Sequence, residues 1–73
     1  MTLAQLGIGE TATIIAIEGG RGLRQKLFLE GLFEGKAVRM VSNSDYGPVI
    51  VEVERSLVAI GRGMAQKIQV ERC

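Results

Sequence analysis

The chain is short of almost everything that catalytic and metal chemistry uses. It has no histidine and no tryptophan, one cysteine, one proline, two phenylalanines and one tyrosine among 73 residues. Without histidine there is no ordinary general base near neutral pH, and no nucleophile elbow or buried carboxylate pair is apparent to replace it. The single Cys73 permits no disulfide framework and no CxxC pair, so the usual thiolate and imidazole metal sites are excluded. A lone terminal thiol also fits a reducing compartment. No stretch comes close to the roughly 20 apolar residues that span a bilayer. Met1 to Glu10 shows neither the basic start nor the apolar centre of a signal peptide, so a cytoplasmic location is expected. Nine basic and eight acidic side chains give a formal charge of +1. That balance speaks against a dedicated nucleic-acid binder and against a polybasic membrane anchor.

Apolar residues nevertheless make up 47% of the chain, and aromatics only 4%. The core must therefore be aliphatic, built from Val, Ile, Leu, Ala and Met. One domain covering residues 1–73 is the only sensible division at this length. So small a domain is marginal on its core alone and leaves room for a homo-oligomer.

The ten glycines punctuate short apolar runs, the pattern of a small barrel or sandwich. Thr11–Ile17 is β-branched and reads as a strand whose two faces are both apolar and covered. After Gly19-Gly20-Arg21-Gly22, Leu23 to Glu30 is the one credible helix, with Leu23 and Leu27 on one face and Gly31 placed as a C-terminal cap. Lys36 to Ser42 reads as a second strand, and Asn43 to Pro48 as a loop of turn formers. Val49 to Glu54 alternates cleanly, with Val49, Val51 and Val53 inward and Glu52 and Glu54 toward water. A tight hairpin at Glu54-Arg55-Ser56 leads into Leu57 to Ile60. A 3₁₀ turn at Met64 to Gln66 precedes a last strand, Lys67 to Glu71. The expected fold is thus mainly β: an SH3-like barrel of about five strands, with one short helix after the first long strand and a 3₁₀ turn before the last.

The run Gly47-Pro48-Val49-Ile50-Val51-Glu52-Val53, followed by Val58-Ala59-Ile60-Gly61-Arg62-Gly63-Met64-Ala65-Gln66-Lys67-Ile68, is similar to the C-terminal half of FeoA proteins. Leu3, Leu6 and Gly9 resemble that family's opening segment. Lys26-Leu27, Gly31-Leu32 and Glu34-Gly35 resemble its helix and exit. The resemblance covers Leu3 to Glu71. It implies an SH3-like barrel in the cytoplasm that serves ferrous iron uptake beside the membrane GTPase subunit of the ferrous iron transporter. It also implies a link to transition metal ions, although no preformed ferrous site stands out here: Glu52 and Glu54 lie on a solvent face, and only weak Fe2+ or other divalent binding is left open. The same module resembles the C-terminal domain of iron-dependent repressors, but this chain shows no helix-turn-helix. A stand-alone metal sensor and, behind it, a small nucleic-acid-binding barrel are the alternatives.

One departure from the family pattern is informative. The order Leu29-Glu30-Gly31 looks like an exchanged pair. In an ideal helix Leu27 lies about 40° from Leu23, Leu29 about 240° and Glu30 about 340°. Glu30 then turns toward the core face, where a carboxylate needs a rewound turn or a partner, and Leu29 turns out. Leu23, Phe28, Leu29 and Phe33 are accordingly the candidate partner-binding residues, with Leu32 assigned to the core. Gly19 to Gly22 and Gly61 to Gly63 could each cradle an anion, but read more simply as turns.

Overall fold

The structure is a computed structural model that describes all residues, Met1–Cys73. A 3₁₀ turn, Leu3–Gln5, opens the chain. Strand β1 (Thr11–Ile17), helix α1 (Arg21–Leu29), β2 (Ala37–Asn43), β3 (Val49–Val53), β4 (Ser56–Ile60), a single turn of helix α2 (Arg62–Ala65) and β5 (Ile68–Arg72) follow. The five strands form one antiparallel sheet in the order β4-β3-β2-β1-β5. Its extents of 28 × 24 × 22 Å are nearly equal, as they must be if the sheet curls around its core rather than lying flat. This is the expected SH3-like barrel, and every strand lies within one residue of the expected limits. Both helices are too short and too widely separated in sequence to form a helix-turn-helix.

Two bulges produce the curl. In β1 the pairing with β5 slips between Ile14 and Ala16, and in β2 the pairing with β3 slips between Met40 and Ser42. A bulge adds one residue to one strand and bends it. In β1 it resets the alternation, so Ala12, Ile14 and Ile17 all point inward. The extra residue, Ile15, is 51% exposed. The expectation that both faces of this strand are covered is therefore corrected: the outer face is open, and the run of apolar residues hides a phase change rather than two buried faces.

Seventeen residues are buried, all apolar, and they form one cluster. The cluster takes Val49, Val51 and Val53 from β3, Ile68 and Val70 from β5, Leu27 from α1, and Leu32. It also takes Leu3 and Leu6, which close one end of the barrel. These two leucines are held there by Asn43. Its side-chain amide donates to the carbonyls of Ala4 at 3.0 Å and Leu6 at 2.9 Å, while its oxygen accepts from Arg62 Nη2 at 2.7 Å. Arg62 also donates to the Ser44 carbonyl. The N-terminal segment, the end of β2 and α2 are thus tied through one amide and one guanidinium.

Helix α1 begins at Arg21, two residues before the expected start. Gly22 lies in the first turn, where backbone N–H groups lack helical partners in any case and a glycine is tolerated. The turn before β5 likewise starts early. Ala65 and Gln66 donate to Gly61 and Arg62 at 2.9 and 3.1 Å, an α turn, and Lys67 closes it with a 3₁₀-type bond to Met64 at 2.9 Å. The hairpin between β3 and β4 is a two-residue turn, with Glu54 at φ 48° and Arg55 at φ 70°. Two positive φ values give the type I′ geometry that matches strand twist, here without the usual glycine.

Candidate functional site

The surface has one recess, a groove of about 760 Å³ between α1 and the end of β1. Its floor is Ile17, Phe28, Leu32 and Phe33; Gly19, Arg21, Arg24, Gln25 and Glu34 complete the lining. The way α1 ends builds the groove. Gly31 takes φ +87°, its N–H donates to Phe28 O at 2.9 Å, and the Leu32 N–H donates back to Leu27 O at 2.9 Å. This pair of bonds is the Schellman motif, and the apolar contact that accompanies it joins the residue after the glycine to the last helical turn. Here those residues are Leu32 and Leu27, both fully buried. Once Leu32 turns in, its neighbour Phe33 turns out toward Phe28. The two rings meet with centroids 5.4 Å apart and planes tilted by 47°, a favourable aromatic contact.

The other end of the groove depends on Gly19. Its φ is +136°, and a Cβ there would lie 2.8 Å from Leu23 Cδ2. No other residue type fits the turn without moving Leu23. Polar groups border the aromatic pair. Arg24 pairs with Glu34 at 2.6 Å, and Lys36 Nζ lies 5.5 Å from the Phe33 ring centroid while pairing with Glu54. A cation near the ring centroid is attracted to the face of the ring.

The four candidate partner residues separate into two sets. Phe28, 60% exposed, and Phe33, 38% exposed, both line the groove. Leu29 is 80% exposed but lies outside the lining, on the outer side of the helix. Leu23 is half-buried and packs against the core edge. The exchanged Leu29-Glu30 pair does turn Leu29 outward. Of the two outcomes open to Glu30, the last turn leaves the ideal helix: α1 ends at Leu29 and Glu30 is an exposed C-cap at φ −94°, ψ 5°. The chain leaves the helical path before the carboxylate reaches the core face. Of the other lining residues, Ile17, Arg24 and Gln25 were not singled out as site residues from the sequence, and Gly19 and Arg21 entered only as part of a possible anion cradle. Ile17 was hidden by the bulge, and Arg21 lay within a segment read as a turn.

The remaining candidates carry less. Glu52 pairs with Arg39 at 3.1 Å and Glu54 with Lys36, so each strand carboxylate already has a cation. No group of three or more His, Cys, Asp or Glu side chains is gathered in one place. The exposed Cys73 Sγ lies 3.8 Å from Thr13 Oγ1 and near no second thiol. Gly61 caps α2 and Arg62-Gly63 open it; Arg62 Nη2 donates to Asn43 and Ser44, while its buried Nε has no partner. No helix is long and apolar enough to cross a membrane.

Comparison with known proteins settles the family. The FeoA domain matches residues 1–72. The chain belongs to the FeoA family. A Methanocaldococcus jannaschii protein described as "Putative Fe(2+) transport protein A" is 40% identical over 63 residues, which cover 86% of this chain and 76% of that one. The crystal structure of an iron uptake regulatory protein, FeoA, superimposes with a TM-score of 0.95 at 32% identity and covers 100% of this chain and 97% of that one. A zinc complex of Stenotrophomonas maltophilia FeoA, described as a procaryotic SH3 domain protein, shares the fold at a TM-score of 0.81 and 24% identity, over 97% and 89% of the two chains. This FeoA-family chain therefore has both the family's fold and a groove whose residues can be named.

Proposed function

We propose that this FeoA-family chain is a cytosolic accessory protein of ferrous iron uptake that acts by binding rather than catalysis. Its partner is the cytosolic GTPase part of the transporter's membrane subunit, and the groove between α1 and β1 is its docking surface. The observation that carries this reading is the aromatic pair. Phe28 and Phe33 meet at a tilt beside the recess, and both line it; the other exposed large apolar side chains, Ile8, Ile15, Leu29, Tyr46 and Leu57 among them, lie outside its lining. Large apolar side chains grouped around a recess mark interaction sites, whereas single exposed ones do not. Leu29 extends the same apolar surface around the helix. The family match over residues 1–72 and the relative described as an Fe(2+) transport protein support iron uptake as the process served.

The test is a pull-down of the GTPase domain by the full chain, repeated with Phe28→Ser and Phe33→Ser. The wild type is expected to retain the domain at micromolar concentrations and the variants to lose it. Folded wild-type protein that retains nothing would sink the reading.

A further inference from the structure

The groove carries a charge that this chain does not answer. Arg24 is neutralised by Glu34, but Arg21, one helical turn earlier on the same border, has no carboxylate within ion-pair distance. Helix α1 contains Arg21, Arg24 and Lys26 and no acidic residue. The nearest acids in sequence do not compensate. Glu18 is directed to Gln69 at 3.4 Å, and Glu30 lies exposed beyond the helix end.

We propose that the groove receives an acidic amphipathic segment of the docking partner, with an apolar side chain on Phe28 and Phe33 and a carboxylate on Arg21. This rests on the docking reading above and adds the chemistry of what docks. Any segment that covers the groove removes Arg21 from water. A neutral or basic cover leaves a desolvated guanidinium without a partner, which is costly; an acidic one gives it a forked, charge-assisted pair. The geometry also sets a spacing. Arg21 and Phe28 are seven residues apart on one helix, about 10 Å along its axis. The partner's acid and its apolar anchor then stand about seven positions apart in a helix, or about three in an extended strand. An aromatic pair beside an arginine also suits a stacked base. A groove that tracks a nucleic-acid strand needs a succession of free cations, however, and Arg21 is the one such cation in this lining.

The experiment is an NMR titration of the labelled full chain with the purified GTPase domain at low and high salt, for wild type, Arg21→Glu, Arg21→Gln and Phe28→Ser. A short single-stranded oligonucleotide serves as a second probe. Amide spectra confirm that each variant is folded. The expected result is that shifts concentrate at Ile17, Gly19, Arg21, Phe28 and Phe33. Phe28→Ser should weaken binding about tenfold or more at either salt. Arg21→Glu should weaken it about tenfold at low salt, more than Arg21→Gln, and remove most of the wild type's salt dependence. Binding that Arg21→Glu tightens or leaves unchanged overturns the acidic assignment. Shifts on another face, with all variants binding as wild type, overturn the groove as the site but leave docking intact. Binding of the oligonucleotide in the groove with loss of affinity in Arg21→Glu assigns the charge to nucleic acid and overturns the proposal. Absence of any binding to the GTPase domain brings down the docking reading and the inference with it.

Discussion

Asn43 is the most exacting test of how this fold is held together. Its amide donates to the carbonyls of Ala4 and Leu6 and its oxygen accepts from Arg62, so Asn43→Ala breaks three hydrogen bonds at once. Two are neutral, worth about 1 kcal/mol each, and one involves a charged donor, worth about 1.5–3 kcal/mol. The site is partly buried, so water recovers some of this. The net loss should be about 2–4 kcal/mol. A domain of this size has a total stability of about 4–11 kcal/mol at the usual per-residue figure, so the loss is a large share. It corresponds to a fall in melting temperature of roughly 10–25 °C.

Asn43→Asp separates the two halves of the clamp. Aspartate preserves the shape and strengthens the acceptor for Arg62, but it cannot donate and sets an anionic oxygen against two carbonyls. If securing the N-terminal segment is what matters, Asn43→Asp should be at least as destabilised as Asn43→Ala. Amide exchange at residues near Leu3 and Leu6 should accelerate first in both, since these buried leucines depend on the anchored backbone. Urea unfolding followed by circular dichroism gives the free energies. An Asn43→Asp protein within about 0.5 kcal/mol of wild type, the range of ordinary surface changes, would refute the reasoning. It would mean that the bond to Arg62 is the only part of the clamp that counts.

Three further substitutions have expected outcomes. Arg55→Gly relieves a positive φ in the hairpin without touching the Lys36–Glu54 pair, and should stabilise the domain by about 0.5–1 kcal/mol in urea unfolding. Gly31→Ala should destabilise by about 1–2 kcal/mol: a Cβ there meets nothing closer than Val53 Cγ1 at 3.8 Å, so the cost is the left-handed backbone itself. Exposed Phe28→Ser should change unfolding free energy by less than about 1 kcal/mol while abolishing retention of the GTPase domain; a large loss of stability would instead make Phe28 a packing residue.

The elements of the fold were legible because each strand announces itself locally. β3 is the clearest case: Val49, Val51 and Val53 face the core in strict alternation, as read. The same rule failed in β1, where Thr11 to Ile17 looks apolar on both faces. Alternation assumes one residue per pleat, and the bulge at Ile15 breaks that assumption through pairing with β5, which local sequence does not encode. Glu30 shows a related limit, and the departure from the helix allowed for there is what occurs. Ideal helical angles apply only while the helix lasts, and Gly31 ends it one residue too soon for Glu30 to follow them. The candidate site was half legible. Phe28 and Phe33 could be found as large apolar side chains around a helix end. Ile17 could not, since its place depended on the bulge, and Arg21 was legible only as part of a glycine-rich segment read as a turn, because its place on the groove depended on where α1 begins.

The clamp and the groove share no residue. The Gly61 to Ile68 run, through which the chain most resembles its family, supplies α2, the Arg62 contact to Asn43 and the inward Ile68. All of these hold the barrel together. The groove instead draws on the end of β1, on α1 and on the three residues after Gly31. A motif that identifies the family is thus spent on folding, and it does not by itself specify a partner. On the docking proposal, specificity falls to side chains that the barrel leaves free, above all Arg21, Phe28 and Phe33. Replacing these three should redirect partner choice while leaving the Asn43–Arg62 clamp, and with it the fold, intact.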